Sequence, residues 1–385
     1  MSSNKNGEKI LVVGAGVSGL TTAMLLNSLG YKTRIISSKN PLSKKADPLF
    51  VSQYPSASVI PHSIFSDQAQ KIFSDSKIVF SRLKKNHFPG ISIHPHYEIF
   101  HKSTEEFWYL SSMDNIRSLD EAALPFSIPA GFSISSAWGY DCYFADWAVY
   151  YPALLNACLN TGSSLEITTL ASDEWKDLPE DIIINCSELG TASLFPDLFS
   201  EMHLLAGHLL YIPDPISRYS KHRDIISYNI TPPSSVYGPV PDYSMDIYSY
   251  RRNDGWILGG SRIPATINSD GRITSDHDHL LEAANFPEQI FELNREVILS
   301  YYNIDLRDLN EPLPKMSYRL TYPTSKGLTI RKDSKQGKTV IHNVGHGGAG
   351  VTMSWGCSLE VLRLLQGEHL QAQIIADQLN PIFER

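Results

Sequence analysis

Lys9-Ile10-Leu11-Val12-Val13-Gly14-Ala15-Gly16-Val17-Ser18-Gly19-Leu20 is an aliphatic run, then a G-x-G-x-x-G turn, then the start of a second apolar segment. The pattern predicts a buried strand that turns sharply into a helix, the geometry that holds a dinucleotide pyrophosphate on backbone N–H groups. Working outward, Leu20, Ala23, Met24, Leu25, Leu26 and Leu29 make that helix apolar nearly all round, as for a helix buried against a sheet. Gly30 ends it and Thr33–Ile36 is a second strand, so residues 9–38 form one βαβ unit. The acid expected on the ribose after that strand is missing, because the chain reads Ile35-Ile36-Ser37-Ser38-Lys39. Hydroxyls such as that of Ser38 can take the ribose, and Lys39 keeps the 2′-phosphate of NADP in view.

A second glycine turn lies at the far end, His342-Asn343-Val344-Gly345-His346-Gly347-Gly348-Ala349-Gly350-Val351-Thr352, and it too feeds an apolar helix, broken near Gly367. A cofactor gripped from both ends of a chain implies a flavin, which has a redox-active half to hold as well as a nucleotide. The helix after Val351 would aim its positive end at the electron-rich ring edge.

Between these ends, a helix is expected over Asp67–Lys85, a strand over Ile91–Phe100 and a helix over Ala145–Gly162 with Trp147, Leu154, Leu155 and Cys158 inward. Leu165–Thr169 and Ile182–Asn185 read as buried strands, and residues 200–330 as an antiparallel sheet. The fold class is therefore α/β, a Rossmann-like domain interleaved with a mixed, largely antiparallel sheet. The 385 residues, 42% of them hydrophobic, suffice for two cores. A net charge of −8 without a basic stripe argues against nucleic acid. No apolar run reaches the ~18–20 residues that span a bilayer. The polar N-terminus and the four widely spaced cysteines, Cys142, Cys158, Cys186 and Cys357, point to the cytoplasm.

The run His342–Glu360, with Trp355-Gly356-Cys357 and Leu359-Glu360, resembles the C-terminal signature of the D-amino-acid oxidase family. Asn185-Cys186-Ser187, Leu258-Gly259-Gly260, and Tyr318-Arg319 with Arg331 resemble further family marks in the same order, though residues 64–140 match only loosely. The resemblance implies an FAD-binding domain (residues 1–63, 141–199 and 331–385) and a substrate domain (64–140 and 200–330). It implies FAD as cofactor and an amino acid and O2 as substrates. The reaction would be oxidation of a D-amino acid, or a glycine-like one, to the imino and then keto acid with ammonia and hydrogen peroxide. A homodimer is compatible with it.

The site residues follow from the same resemblance. Gly14, Gly16, Val17, Ser18 and Gly19 would hold the pyrophosphate. Ser52, Ser56, Ala57 and Ser58 would line the flavin ring, and Gly347, Gly348, Gly350, Val351 and Thr352 would reach its pyrimidine end. Arg319 would pair with the substrate carboxylate through its planar guanidinium. Tyr248, ten residues before Leu258, would add its hydroxyl, and the Gly348 carbonyl would face the amine. Arg251 or Arg252 stands next in line should Arg319 be a surface residue, and a packed sheet tyrosine is the plain alternative for Tyr248.

Several positions depart from the pattern. Ser244 stands in register where the family has a second tyrosine, with Tyr243 one residue out; Tyr322 replaces an arginine, Glu188 a glycine and His208 a glutamine. The lid region, about 223–247, is long and rich in Pro and Tyr. The substrate side chain is therefore open, and a nicotinamide-dependent dehydrogenase or a flavoprotein without turnover are the competing functions. His94, His96 and His101 read as the outward face of a strand, and Asp276–His279 as a helix start; neither suggests a metal site.

Overall fold

The computed structural model describes residues 9–43, 45, 47–53, 55, 57–64, 66, 68–102, 107–215, 224–233, 235, 244–268, 271–367 and 370–383. In chain order the strands are β1 (Lys9–Val13), β2 (Lys32–Ser37), β3 (Ile91–Phe100), β4 (Asp114–Ser118), β5 (Ser136–Ala145), β6 (Ser164–Ile167) and β7 (Ile182–Asn185). They continue as β8 (His203–Pro213), β9 (Ser227–Thr231), β10 (Ser244–Arg251), β11 (Gly255–Ile267), β12 (Ile273–Thr274), β13 (Leu313–Thr321), β14 (Arg331–Lys335) and β15 (Lys338–His342). The helices are α1 (Val17–Ser28), α2 (Ala69–Lys85), α3 (Trp147–Asn160), α4 (Thr191–Leu194), α5 (Pro196–Phe199), α6 (Glu288–Tyr302), α7 (Gly350–Gln366) and α8 (Ala372–Phe383).

The first sheet runs β14-β15-β7-β1-β2-β6, parallel except at the β14 edge. β1 is buried on both faces, which is why it is written as an unbroken aliphatic run. Ile10 and Val12 join a core with α1, α2, α3, α7 and α8, while Leu11 and Val13 pack with Trp175, Phe195 and Leu198 on the other side. The second sheet runs β13-β8-β11-β10-β9-β3-β5-β4 and is antiparallel except where β3 meets β9. One of its faces buries Tyr97, Ile99, Tyr228 and Ile247 against Ile290 and Val297 of α6. The Rossmann-like sheet and the mixed, largely antiparallel sheet expected from the sequence are thus both present.

The signature Trp355-Gly356-Cys357 turns out to serve helix packing. A Cβ on Gly356 would lie 1.9 Å from the Ile72 backbone oxygen, so α7 crosses α2 where no side chain fits. Trp355 Nε1 donates to the Tyr150 hydroxyl at 3.1 Å, and Ser358 on α7 meets Thr21 on α1 at 2.9 Å. All four cysteines are free and buried. Among the described residues no helix is long and apolar enough to cross a membrane.

Candidate active site

The chain leaves β1 through Gly14 at φ +114°, where a Cβ would meet the Cys186 carbonyl oxygen at 2.3 Å, and a Cβ on Gly19 would lie 1.9 Å from the Gly14 oxygen. Only glycine allows these approaches. Those two residues shape the turn, while Gly16, Val17 and Ser18 line a cavity of about 650 Å³. No side chain caps the N-terminus of α1, though Ser52 Oγ accepts from the Val17 N–H at 3.2 Å. α7 is likewise uncapped and is entered through Gly347 at φ +55°. Two helix N-termini without an N-cap side chain of their own therefore present positive ends to one cavity.

Ser52, Ala57, Ser58, Gly347, Gly348, Gly350, Val351 and Thr352 all line that cavity. Thr352 Oγ1 also accepts from Ile60 N–H at 3.1 Å, which ties α7 to the segment carrying Ala57 and Ser58. Ser56 lies outside the described residues. Ser38 and Lys39 are not in the lining: Ser38 is exposed after β2, and the Lys39 ammonium pairs with Asp47 at 2.6 Å.

Arg319 extends from β13 across Gly207 of β8, where an added Cβ would sit 3.2 Å from Arg319 Nη2. Tyr248 lies flat on Gly259-Gly260, since a Cβ on Gly259 would be 2.1 Å from its Cζ. The glycine pair is the floor that lets this ring in. Burial pushes the Tyr248 hydroxyl above its ordinary value, with the adjacent Arg319 guanidinium pulling the other way, so the phenol is a neutral donor. Arg319, Tyr248 and Gly348 line the same cavity as the two helix ends.

The departures from the family pattern have structural reasons. Glu188 adopts φ +46°, a conformation glycine takes freely, and its carboxylate meets His346 Nδ1 at 2.8 Å. His346 Nε2 faces Asn343 Oδ1 at 2.8 Å. Burial opposes a charge on His346, but Cys357 and Glu188 beside it more than offset that and hold its pKa up at about 10. Tyr322 fills space against Gly345, whose added Cβ would lie 2.8 Å from the ring. His208 is outside the cavity lining, bonded to Ser261 Oγ at 2.8 Å. Tyr243 and much of the lid region lie outside the described residues.

Two expectations need correction. Arg251 and Arg252 are not alternatives to Arg319: they pair with Asp214 at 3.3 Å and Asp254 at 2.6 Å and do not line the cavity. Among the described lining residues the other guanidinium is that of Arg262, paired with Asp246. His94 and His96 are also not on an outward face, being only 6% and 1% exposed. β3 alternates as a strand should, with Tyr97 and Ile99 toward α6 and His94, His96 and Glu98 on the opposite face. That face is polar because it borders the internal cavity, whose lining includes His96 and Glu98. Tyr109 donates to Glu98 at 2.7 Å and His62 Nδ1 lies 3.2 Å from it. Burial alone would raise Glu98, but His62 holds it below the usual carboxylate range; His62 is raised despite its own burial. The sequence signal for these residues was the alternation of β3, read with the wrong medium on its polar side.

No family model matches the chain. It is similar to a D-amino-acid oxidase of Rubrobacter xylanophilus, 22% identical over 366 residues covering 92% of this chain and 95% of that one. It is also similar to a D-amino-acid oxidase of Dictyostelium discoideum, 25% identical over 372 residues, 92% and 91% of the two chains. Among solved structures, a glycine oxidase from Bacillus cereus superposes with TM-score 0.62 at 12% identity, covering 94% of this chain and 98% of that one. An L-proline dehydrogenase from P. horikoshii gives TM-score 0.62 at 13% identity, covering 94% of both. The resemblance read from the motifs thus extends over more than nine-tenths of the chain.

Proposed function

We propose that this chain, a relative of the D-amino-acid oxidases, is an FAD-dependent oxidase of a D-amino acid or a glycine-like amino acid. The observation that carries the reading is the placement of Arg319 and Tyr248 in the cavity that also receives both uncapped helix ends. The residues fit the cofactor: Gly16, Val17 and Ser18 would take its pyrophosphate, and Gly347–Thr352 with Ser52 and Ser58 would hold its ring. When bound, FAD would supply a two-electron acceptor for the α-carbon hydride, one that O2 reoxidises with formation of hydrogen peroxide.

The chain's own part is orientation. Arg319 and the Tyr248 hydroxyl would fix the carboxylate and the Gly348 carbonyl would face the amine. Each carboxylate in the described lining already has a basic partner: Glu98 His62, Glu188 His346 and Asp246 Arg262. None is left for a substrate ammonium, so the amine reacts uncharged and its nitrogen lone pair assists departure of the hydride. The resulting imino acid hydrolyses to the keto acid and ammonia. The division into a cofactor domain (1–63, 141–199, 331–385) and a substrate domain (64–140, 200–330) belongs to this reading, as does a cytoplasmic setting, which four free cysteines suit.

Purified protein should be yellow with one FAD and release peroxide with some member of a panel of D-amino acids, glycine and N-methyl amino acids. Colourless protein that binds NADPH and not FAD would favour a nicotinamide-dependent dehydrogenase. Yellow protein inert to the whole panel would favour a flavin-binding role without turnover.

A further inference from the structure

Among the described lining residues every carboxylate has a basic partner, and one guanidinium has no carboxylate. Glu98 faces His62, Glu188 faces His346 and Asp246 pairs with Arg262, whereas Arg319 joins no ion pair among the described residues. One cation is thus left over, for one ligand carboxylate. A second charge on the ligand, of either sign, would be buried without a counter-charge, which is costly in a desolvated site.

What stands beside Tyr248 is neutral and polar. Tyr248 pairs in register with Asn229, and Asn229 with Glu98, so the three form a row on adjacent strands spaced ~4.8 Å apart. His96 lies two residues before Glu98 on the same face. Asn229 and His96 are 7% and 1% exposed and both line the cavity. One end of the Asn229 amide lies 3.4 Å from His62 Nε2; the other end, and His96 Nε2, have no hydrogen-bond partner among the described residues. Burial lowers His96 to about 4, so its ring is neutral near pH 7, with Nδ1 at 2.8 Å from Ser227 Oγ. Buried polar atoms left without partners are destabilising unless a ligand supplies them.

We propose that the substrate side chain ends in a carboxamide, held by Asn229 and His96. The inference rests on the amino-acid oxidation argued above and names the substrate class of that same site. A carboxamide carries both an N–H donor and a C=O acceptor, so it matches the free end of the Asn229 amide whichever way that amide is turned, and His96 Nε2 in either tautomer. A hydrocarbon end leaves both atoms unpaired, and an acidic or basic end adds the uncompensated charge.

The test uses the FAD-bound protein in two measurements. The first is kcat/KM for D-asparagine and D-glutamine against D-glutamate, D-lysine and D-methionine. The better amide should lead each of the last three by about 100-fold or more, and Asn229→Leu should shift the preference toward D-methionine. The second is a spectral titration with non-reacting carboxylates. Glutaramate should perturb the flavin band at roughly tenfold lower concentration than glutarate or hexanoate. D-glutamate, D-lysine or D-methionine matching the amides, or glutarate or hexanoate binding as tightly as glutaramate, overturns the proposal. If no amino acid is oxidised yet glutaramate is preferred, the oxidation reading fails while the side-chain assignment survives in the titration.

Discussion

Arg319 is the residue on which the substrate reading turns. Its guanidinium is placed beside Tyr248 rather than against a carboxylate, so its removal should affect substrate and leave the cofactor in place. Losing a buried charge-assisted pair costs about 2–5 kcal/mol, so Arg319→Ala should lower kcat/KM by roughly 30-fold to several thousand-fold with the visible spectrum intact. Arg319→Lys should recover little, because the two-pronged geometry is gone. An Arg319→Ala protein with full activity that still binds benzoate would move the carboxylate contact to Arg262.

A second residue-scale expectation concerns pH. The His346 pKa is raised from an ordinary 6.5 to about 10 in the folded state. The stability it contributes is fully present below about pH 6.5 and is lost as pH rises through about 10. Tm should therefore fall by roughly 2 °C or more between pH 6.5 and 10, and Glu188→Gln should flatten the fall. A variant as pH-dependent as the parent would show that the Glu188 contact does not hold the proton on His346. Neither feature was legible in the sequence, where Glu188 was only a departure from a glycine.

At the scale of elements, the glycines explain why some stretches were readable and others not. Gly14 and Gly19 announce the turn because close backbone contact forbids any other residue there. β1, β3 and β7 were legible to within a residue, since burial on one or both faces writes a plain pattern. The role of β3 was not, because alternation tells which residues share a face but not what that face meets. Polar His94, His96 and Glu98 face the interior as water-facing residues would face solvent. Gly356 makes a prediction here: Gly356→Ala places a methyl 1.9 Å from the Ile72 oxygen and must push α7 off α2. Overpacking of this kind costs about 1–3 kcal/mol, read as a lower denaturant midpoint. An unchanged midpoint would mean that α2 shifts freely.

In the whole molecule, function comes from where the two sheets meet. The first sheet delivers two helix N-termini, the second delivers Arg319, Tyr248 and Asn229, and an isolated bridge from Thr321 at the end of β13 to His346 joins the sheet to the glycine turn. The C-terminal signature made the first half readable and, through the family resemblance, suggested Arg319 and Tyr248. The paired charges opposite them were hidden, since they are brought together from residues 62, 98, 246 and 262 only by folding. The most direct test of the central claim is anaerobic mixing of the purified yellow protein with D-asparagine, D-glutamine and a wider set of D-amino acids. The account predicts that the visible flavin band bleaches with at least one D-amino acid and returns on admitting air. A band unchanged by every D-amino acid and by glycine, in protein that carries its full complement of FAD, would contradict it.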